Sequence, residues 1–398
     1  MAKSGNSTVG ALLALALFLL RPIGGNAQAS SALVPAIITF GDSTVDVGNN
    51  DYLKTIFKAD FPPYGRDFKN HKPTGRFCNG KLATDITADT LGFSSYPSAY
   101  LSPEASGKNL LIGANFASAA SGYYDDTAYL YHAIPLSQQL EFYKEYQHKL
   151  SRVAGTSKAS SIISGALYIV STGASDFVQN YYINPHLYET RSPDQFSSFL
   201  VHIFCNFVKD LYGLGARKIG VTSLPPLGCL PASITLFGHG SNECVRRLNS
   251  DAQNFNRKLN TAADSLAKQL PNLKIAIFDI YKPLHDLATL PSDFGRSAFT
   301  FPHRFRRSHS CTLRILRGQE RLLRDGNSGD DIVSVQSAFG RDMRQCHWLC
   351  VLGQRPSIGI GKPSACRFPH FSGHQPYSVR KGRVRDAAVH VCVCLLFQ

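Results

Sequence analysis

Five short apolar runs recur along the first three quarters of the chain: Leu33–Phe40, Leu110–Phe116, Ala166–Ser171, Lys218–Ser223 and Leu273–Phe278. Each is strand-length, and near-continuous apolarity suits strands covered on both faces. Helical patterns lie between them. Lys81–Leu91 and Asn249–Leu270 hold their apolar residues at helical spacing, and Pro135–Val153 is amphipathic from a proline suited to a first turn. Ser192–Leu211 opens with Ser-Pro-Asp, a helix-start signal. Strands alternating with helices predict an α/β fold with a mostly parallel five-stranded sheet. Ligands in such sheets sit at the carboxyl ends of the strands, which directs attention to the residues just after each run.

Composition sharpens the boundaries. A chain of 398 residues with 43% hydrophobic and 18% charged residues is neither disordered nor low-complexity. Its only long apolar run is N-terminal, which excludes a multi-span membrane protein. There, Lys3 precedes the apolar residues 10–20 and then Ala27-Gln28-Ala29, the pattern of a secretory signal over residues 1–29. Eleven apolar residues are too few to anchor across a bilayer core of about 30 Å. Secretion permits disulfides, and Cys229 and Cys244 flank a Pro/Gly-rich loop across which they can pair. Cys78 and Cys205 read as unpaired or buried.

The net charge of +14 suggests a nucleic-acid partner, but its distribution argues otherwise. Residues 294–398 carry 17 Lys/Arg against 6 Asp/Glu, with six of the ten cysteines. The chain therefore reads as a folded domain over residues 30–293 joined to an unrelated basic tail, expected to be irregular.

The first run ends in Phe40-Gly41-Asp42-Ser43-Thr44-Val45-Asp46-Val47-Gly48-Asn49-Asn50. A serine at a sharp strand-to-helix turn can expose its Oγ while nearby N–H groups point at the same spot, which suits a nucleophile whose intermediate carries an oxyanion. Gly-Asp-Ser alone would favour a helix cap, since Ser and Asp are preferred there. The full run reverses that preference. It resembles the signature of the plant GDSL esterase/lipase family within the SGNH hydrolases. The resemblance continues through Pro62-Pro63-Tyr64-Gly65, Pro73–Gly80, Gly113–Ser118, Gly173–Phe177, Leu224–Cys229 and Tyr281–Leu284, in family order.

That resemblance implies a flavodoxin-like three-layer sandwich and hydrolysis of carboxylic esters through an acyl-enzyme, with no cofactor and no metal. Ser43 would be the nucleophile and its own N–H one oxyanion donor. The second donor would be the N–H of Ala120, where the family usually has glycine. The third would be Ser175, where the family usually has asparagine; a hydroxyl donates one hydrogen bond but reaches less far. Turn capping is the alternative role for Ser175. Asp42 is expected to shape the turn, Asp46 to cap or orient the following helix, and Asp176 to support its loop. Asn49 and Asn50 are expected to close a turn.

A serine nucleophile needs a proton acceptor, which the family supplies in an Asp-x-x-His-Pro block near the C-terminus. No such block exists in this chain. His71, His132, His148, His186, His202, His239 and His285 match none of the family's catalytic blocks, and His370 and His374 lack an aspartate three residues earlier. Synonymous codons can be chosen for residues 320–366 so that reading one base later yields Cys-Cys-Gly and Phe-Trp-Asp-Ser-Val-His-Pro, similar to the family's closing blocks. The chain is therefore expected to leave the family frame just after Asp293, through a retained intron or a faulty gene model. Translation out of frame accounts for the Arg-rich patches at 304–307 and 380–385 without nucleic acid. It likewise accounts for Cys346, His347, Cys350, Cys392 and Cys394, which lack a matching half at zinc-site spacing.

Two functions are compatible with these residues. One is a secreted serine esterase/lipase acting on an ester or lipid small molecule, with this polypeptide's activity in question for want of its base. The other is a non-catalytic extracellular protein that binds a lipid or glycan.

Overall fold

The β-branched stretch Ile37–Gly41 forms β1, an interior strand of the sheet, in a computed structural model that describes residues 32–290. Gly113–Asn115 (β2), Leu167–Ser171 (β3), Lys218–Thr222 (β4) and Lys274–Phe278 (β5) complete one sheet, in the order β2-β1-β3-β4-β5. Every neighbouring pair is parallel, so the expected mostly parallel sheet is wholly so. β1 through β3 are buried throughout, as continuous apolar runs require.

Nine α-helices connect and flank the strands: α1 (Ala83–Thr90), α2 (Asp125–Tyr129), α3 (Leu136–Ala154), α4 (Thr156–Gly165), α5 (Pro185–Thr190), α6 (Pro193–Gly213), α7 (Pro231–Phe237), α8 (Arg246–Gln269) and α9 (Tyr281–Thr289), counted among the described residues. Parallel strands are joined by right-handed crossovers. The winding reverses at β1, which pairs with β2 on one side and β3 on the other, so crossovers cover both faces. This is the flavodoxin-like order, and β1 lies at its switch point.

Two expected strands are shorter than their apolar runs. Residues 33–36 precede β1, and the 3-10 segment Gly107–Ile112 takes up the front of the second run. The start of α6 follows its sequence signal closely: Ser192 accepts from Gln195 N and donates its own N–H to the Gln195 side chain, a reciprocal cap.

Phe40 fastens β1 to its surroundings. Its ring lies 5.3 Å from Phe116, 5.6 Å from Tyr143 of α3 and 5.3 Å from Phe207 of α6. Burying a ring of this size stabilises by about 1.5–3 kcal/mol. Cys229 and Cys244 form a disulfide around α7. Cys205 is unpaired and half-buried, whereas Cys78 is buried and disulfide-bonded.

No helix among the described residues is long and apolar enough to cross a membrane. The signal at 1–29 and the basic tail at 294–398, with His370, His374 and the tail cysteines, lie outside the described residues.

Candidate functional site

Gly41 closes β1 opposite Ser171 of β3. Its φ is 144°, and a Cβ there would lie 1.9 Å from the Ser171 carbonyl oxygen, so only glycine fits. The chain then turns sharply. Asp42 N donates to Ser171 O, while Val45 N and Asp46 N both return to Asp42 O. The Asp42 carboxylate accepts from Thr44 N and from the Thr44 hydroxyl, at 3.0 and 2.7 Å. That is the turn-shaping role expected of it. Ser43 stands in this turn at the carboxyl end of β1.

Ser43 as a residue is only 4% exposed, and Gly41, Asp42 and residues 45–50 around it are buried too. One expectation is corrected here. No α-helix follows the turn; a 3-10 segment, Asn49–Tyr52, does. The polar side chains of 46–50 bond both along their own chain and across to β2 and the segment after it. Asn49 Nδ2 donates to Asn115 O and Ala117 O, and Asn50 Nδ2 donates to Ala119 O. Asp46 Oδ1 accepts from Gly48 N and Asn49 N, and its Oδ2 accepts from Ala119 N.

This bracing shapes the loop that carries Ala120. Ser118 N donates to Gly41 O, Ala119 N to Asp46 and Ser121 N to Ser118 O. Between these anchored amides, Ala120 adopts φ 67°, a left-handed conformation that costs a non-glycine residue about 1–2 kcal/mol. Its own N–H finds no acceptor among the described residues, which is the condition an oxyanion donor must meet.

Ser175 follows β3 and opens one turn of π-helix, Asp176–Tyr181, a distortion often found at functional sites. Its side chain makes no capping hydrogen bond, so the turn-capping alternative does not describe it. Asp176 reaches across to the Ala120 loop instead. It accepts from Tyr123 N at 2.7 Å, Tyr124 N at 3.2 Å and the Thr127 hydroxyl at 2.7 Å. A Cβ on Gly122 would meet Asp176 Oδ1 at 2.1 Å, so the loop can close on the carboxylate only with glycine there.

Residues that follow β1, β2 and β3 thus cluster at the sheet's switch point. A chain of hydroxyls runs beneath them: Thr222 donates to Ser171 at 2.8 Å, Ser171 to Thr44 at 2.9 Å and Thr44 to Asp42. Burial raises the Asp42 carboxyl to about 6 and those of Asp46 and Asp176 to about 7, against the N–H and O–H donors that lower them.

Six of the seven described histidines are exposed: His71, His132, His148, His186, His202 and His239. His285 is half-buried on α9, its ring stacked 5.7 Å from Tyr281 and its Nδ1 4.0 Å from Asp286 Oδ1. Among the described residues no group of three metal-ligating side chains gathers.

Sequence reasoning missed Gln139, whose buried amide bonds Gly41, and the Thr222–Ser171 link; both join residues too far apart in the chain for any spacing to reveal.

A family model, GDSL-like lipase/acylhydrolase, matches residues 37–305. The chain belongs to the GDSL-like lipase/acylhydrolase family. It is 68% identical over 263 residues to an Arabidopsis thaliana protein named GDSL esterase/lipase APG, covering 66% of this chain and 74% of that one. It is 63% identical over 266 residues to GDSL esterase/lipase At5g22810 of the same plant, with the same coverage. Membership makes this GDSL protein one of a family of carboxylic ester hydrolases.

Proposed function

We propose that this GDSL protein is built as a secreted serine esterase working through an acyl-enzyme on Ser43. Ser43 Oγ attacks the ester carbonyl and its proton passes to a base. The tetrahedral oxyanion is held by the N–H groups of Ser43 and Ala120 and by the Ser175 hydroxyl. Collapse breaks the C–O bond, the alcohol leaves with the proton, and water then hydrolyses the acyl-serine. The observation that carries this reading is the Ala120 N–H, which lacks an acceptor among the described residues while the amides on either side of it are bonded.

The base is the missing member. Removing the histidine of a serine triad costs on the order of 10⁶ in kcat, leaving about 10³–10⁴ over water. We infer that the tail after Asp293 is out of frame and that the authentic product carries the Asp-x-x-His block. The match to the first relative over 263 residues, 66% of this chain and 74% of that one, supports this. The leader at 1–29 supports export.

Hydrolysis of short-chain p-nitrophenyl esters by the wild type and by Ser43→Ala tests the nucleophile. Turnover is expected to require Ser43; equal rates would remove it from the mechanism.

The exposed positions of six histidines favour a second reading, in which this polypeptide binds an acyl or glycosyl ligand without turning it over. A fluorophosphonate probe separates the two readings. An activated Ser43 labels quickly, whereas an unactivated one labels very slowly.

A further inference from the structure

We infer that Gln139 is a positioning residue that fixes the distance between the Ser43 turn and the Ala120 loop; this rests on the reading of those two residues given above. Gln139 lies in the first turns of α3 and is fully buried. Its Oε1 accepts from Gly41 N at 2.9 Å, and its Nε2 donates to Gly41 O at 2.9 Å. One amide thus satisfies both backbone groups of the residue two before Ser43. The same Nε2 lies 3.1 Å from Ser121 Oγ and 3.2 Å from Ile134 O. Ser121 directly follows Ala120, so a single planar group is bonded on either side of the candidate oxyanion pocket.

A side-chain amide suits this place for a chemical reason. Gly41 presents a donor and an acceptor together, and only Asn or Gln offers a matching acceptor and donor on one flat group. An ionised glutamate would set an acceptor against the Gly41 carbonyl, and methionine of similar length would leave the Gly41 N–H unpaired and its carbonyl with the Ser118 N–H alone. Asp46 and Asp176 brace the same loop, but each touches it beside or beyond Ala120 and neither touches Gly41. Gln139 therefore sets this separation together with Asp46 and the Ser118 N–Gly41 O bond, and it alone among these side chains bonds Gly41 itself; misplacing a reacting group by about 1 Å can cost 10²-fold in rate.

The test compares Gln139→Met with Tyr146→Phe in the full chain. Tyr146 is also fully buried on α3, and its hydroxyl donates to Leu110 O, away from the site. The readouts are the rate at which a fluorophosphonate labels Ser43 and the amide hydrogen exchange at residues 41–43 and 118–121. Gln139→Met is expected to slow labelling at least about 10-fold and to speed exchange selectively at those amides. Tyr146→Phe is expected to leave labelling within about twofold at a comparable loss of melting temperature. If Gln139→Met does not fold, Ser121→Ala breaks the tie from its other end and should slow labelling in the same direction. Labelling and exchange that follow melting temperature alone in both variants would overturn the inference. Labelling that persists in Ser43→Ala would sink the reading of Ser43 itself, and the inference with it.

Discussion

Asp46 Oδ2 accepts the Ala119 N–H at 3.0 Å, while its Oδ1 holds Gly48 N and Asn49 N at 2.8 Å each. One buried carboxylate therefore joins the turn that carries Ser43 to the loop that carries Ala120. The sequence separation is 73 residues, yet the two segments behave as one unit.

Asp46→Asn replaces one of these oxygens with an N–H₂ group, so at least one backbone N–H must face a donor. Leaving a buried donor unsatisfied costs about 1–3 kcal/mol. Urea unfolding should show a loss of that size, and Ser43 labelling should slow more than it does in a surface variant of equal stability.

Asp46 and Asp176 both have folded-state pKa values raised to about 7. Between the unfolded carboxylate range near 4 and pH 7, the folded state then binds more protons than the unfolded one. The contribution of these two carboxyls to stability should accordingly be fully present below the unfolded carboxylate range and be lost as pH rises through about 7. The melting temperature of wild type relative to Asp176→Asn should drop between pH 5 and pH 7.5. A rise over the same interval would mean that the three donors on Asp176 outweigh its burial.

Ala120 holds φ 67° with a Cβ that disfavours it. Ala120→Gly removes that strain at an entropic cost of roughly 0.5–1 kcal/mol. The net expectation is a gain of up to about 1 kcal/mol with the N–H retained. Thermal unfolding measures the gain, and an unchanged labelling rate checks that the donor is still in place.

Arg76 and Asp85 form a bidentate ion pair, with contacts of 2.8 and 2.9 Å and side-chain exposures of 10% and 1%. Arg76 also bridges to Val47, which ties the pair to the segment following Ser43. Arg76→Met strands the Asp85 carboxylate and should cost about 3–5 kcal/mol in denaturant unfolding. Replacing both partners with apolar residues should recover much of that loss.

The strands and the long helices were legible because burial on both faces of a parallel sheet demands apolar runs, and packing along one face of a helix demands a stripe. Ile37–Gly41 and Leu167–Ser171 obey that rule directly. α4 was not foreseen, since its Ser-rich stretch carries too little apolar contrast to announce a helix. That Ser43, Ala120 and Ser175 follow β1, β2 and β3 could be anticipated from the order of the apolar runs and motifs. The bracing between the two segments could not, because Asn49, Asn50 and Asp46 have bonding partners 66 to 73 residues away. Only the folded sheet brings those partners together.

The proposed mechanism turns on a covalent bond to one oxygen. Treating the full chain with a fluorophosphonate and mapping the adduct by peptide mass spectrometry tests it directly. The expected result is a single modification, at Ser43, that is lost in Ser43→Ala and accelerated when the Asp-x-x-His block is restored in frame. Modification at another serine, or none at Ser43 even with the block restored, would contradict it.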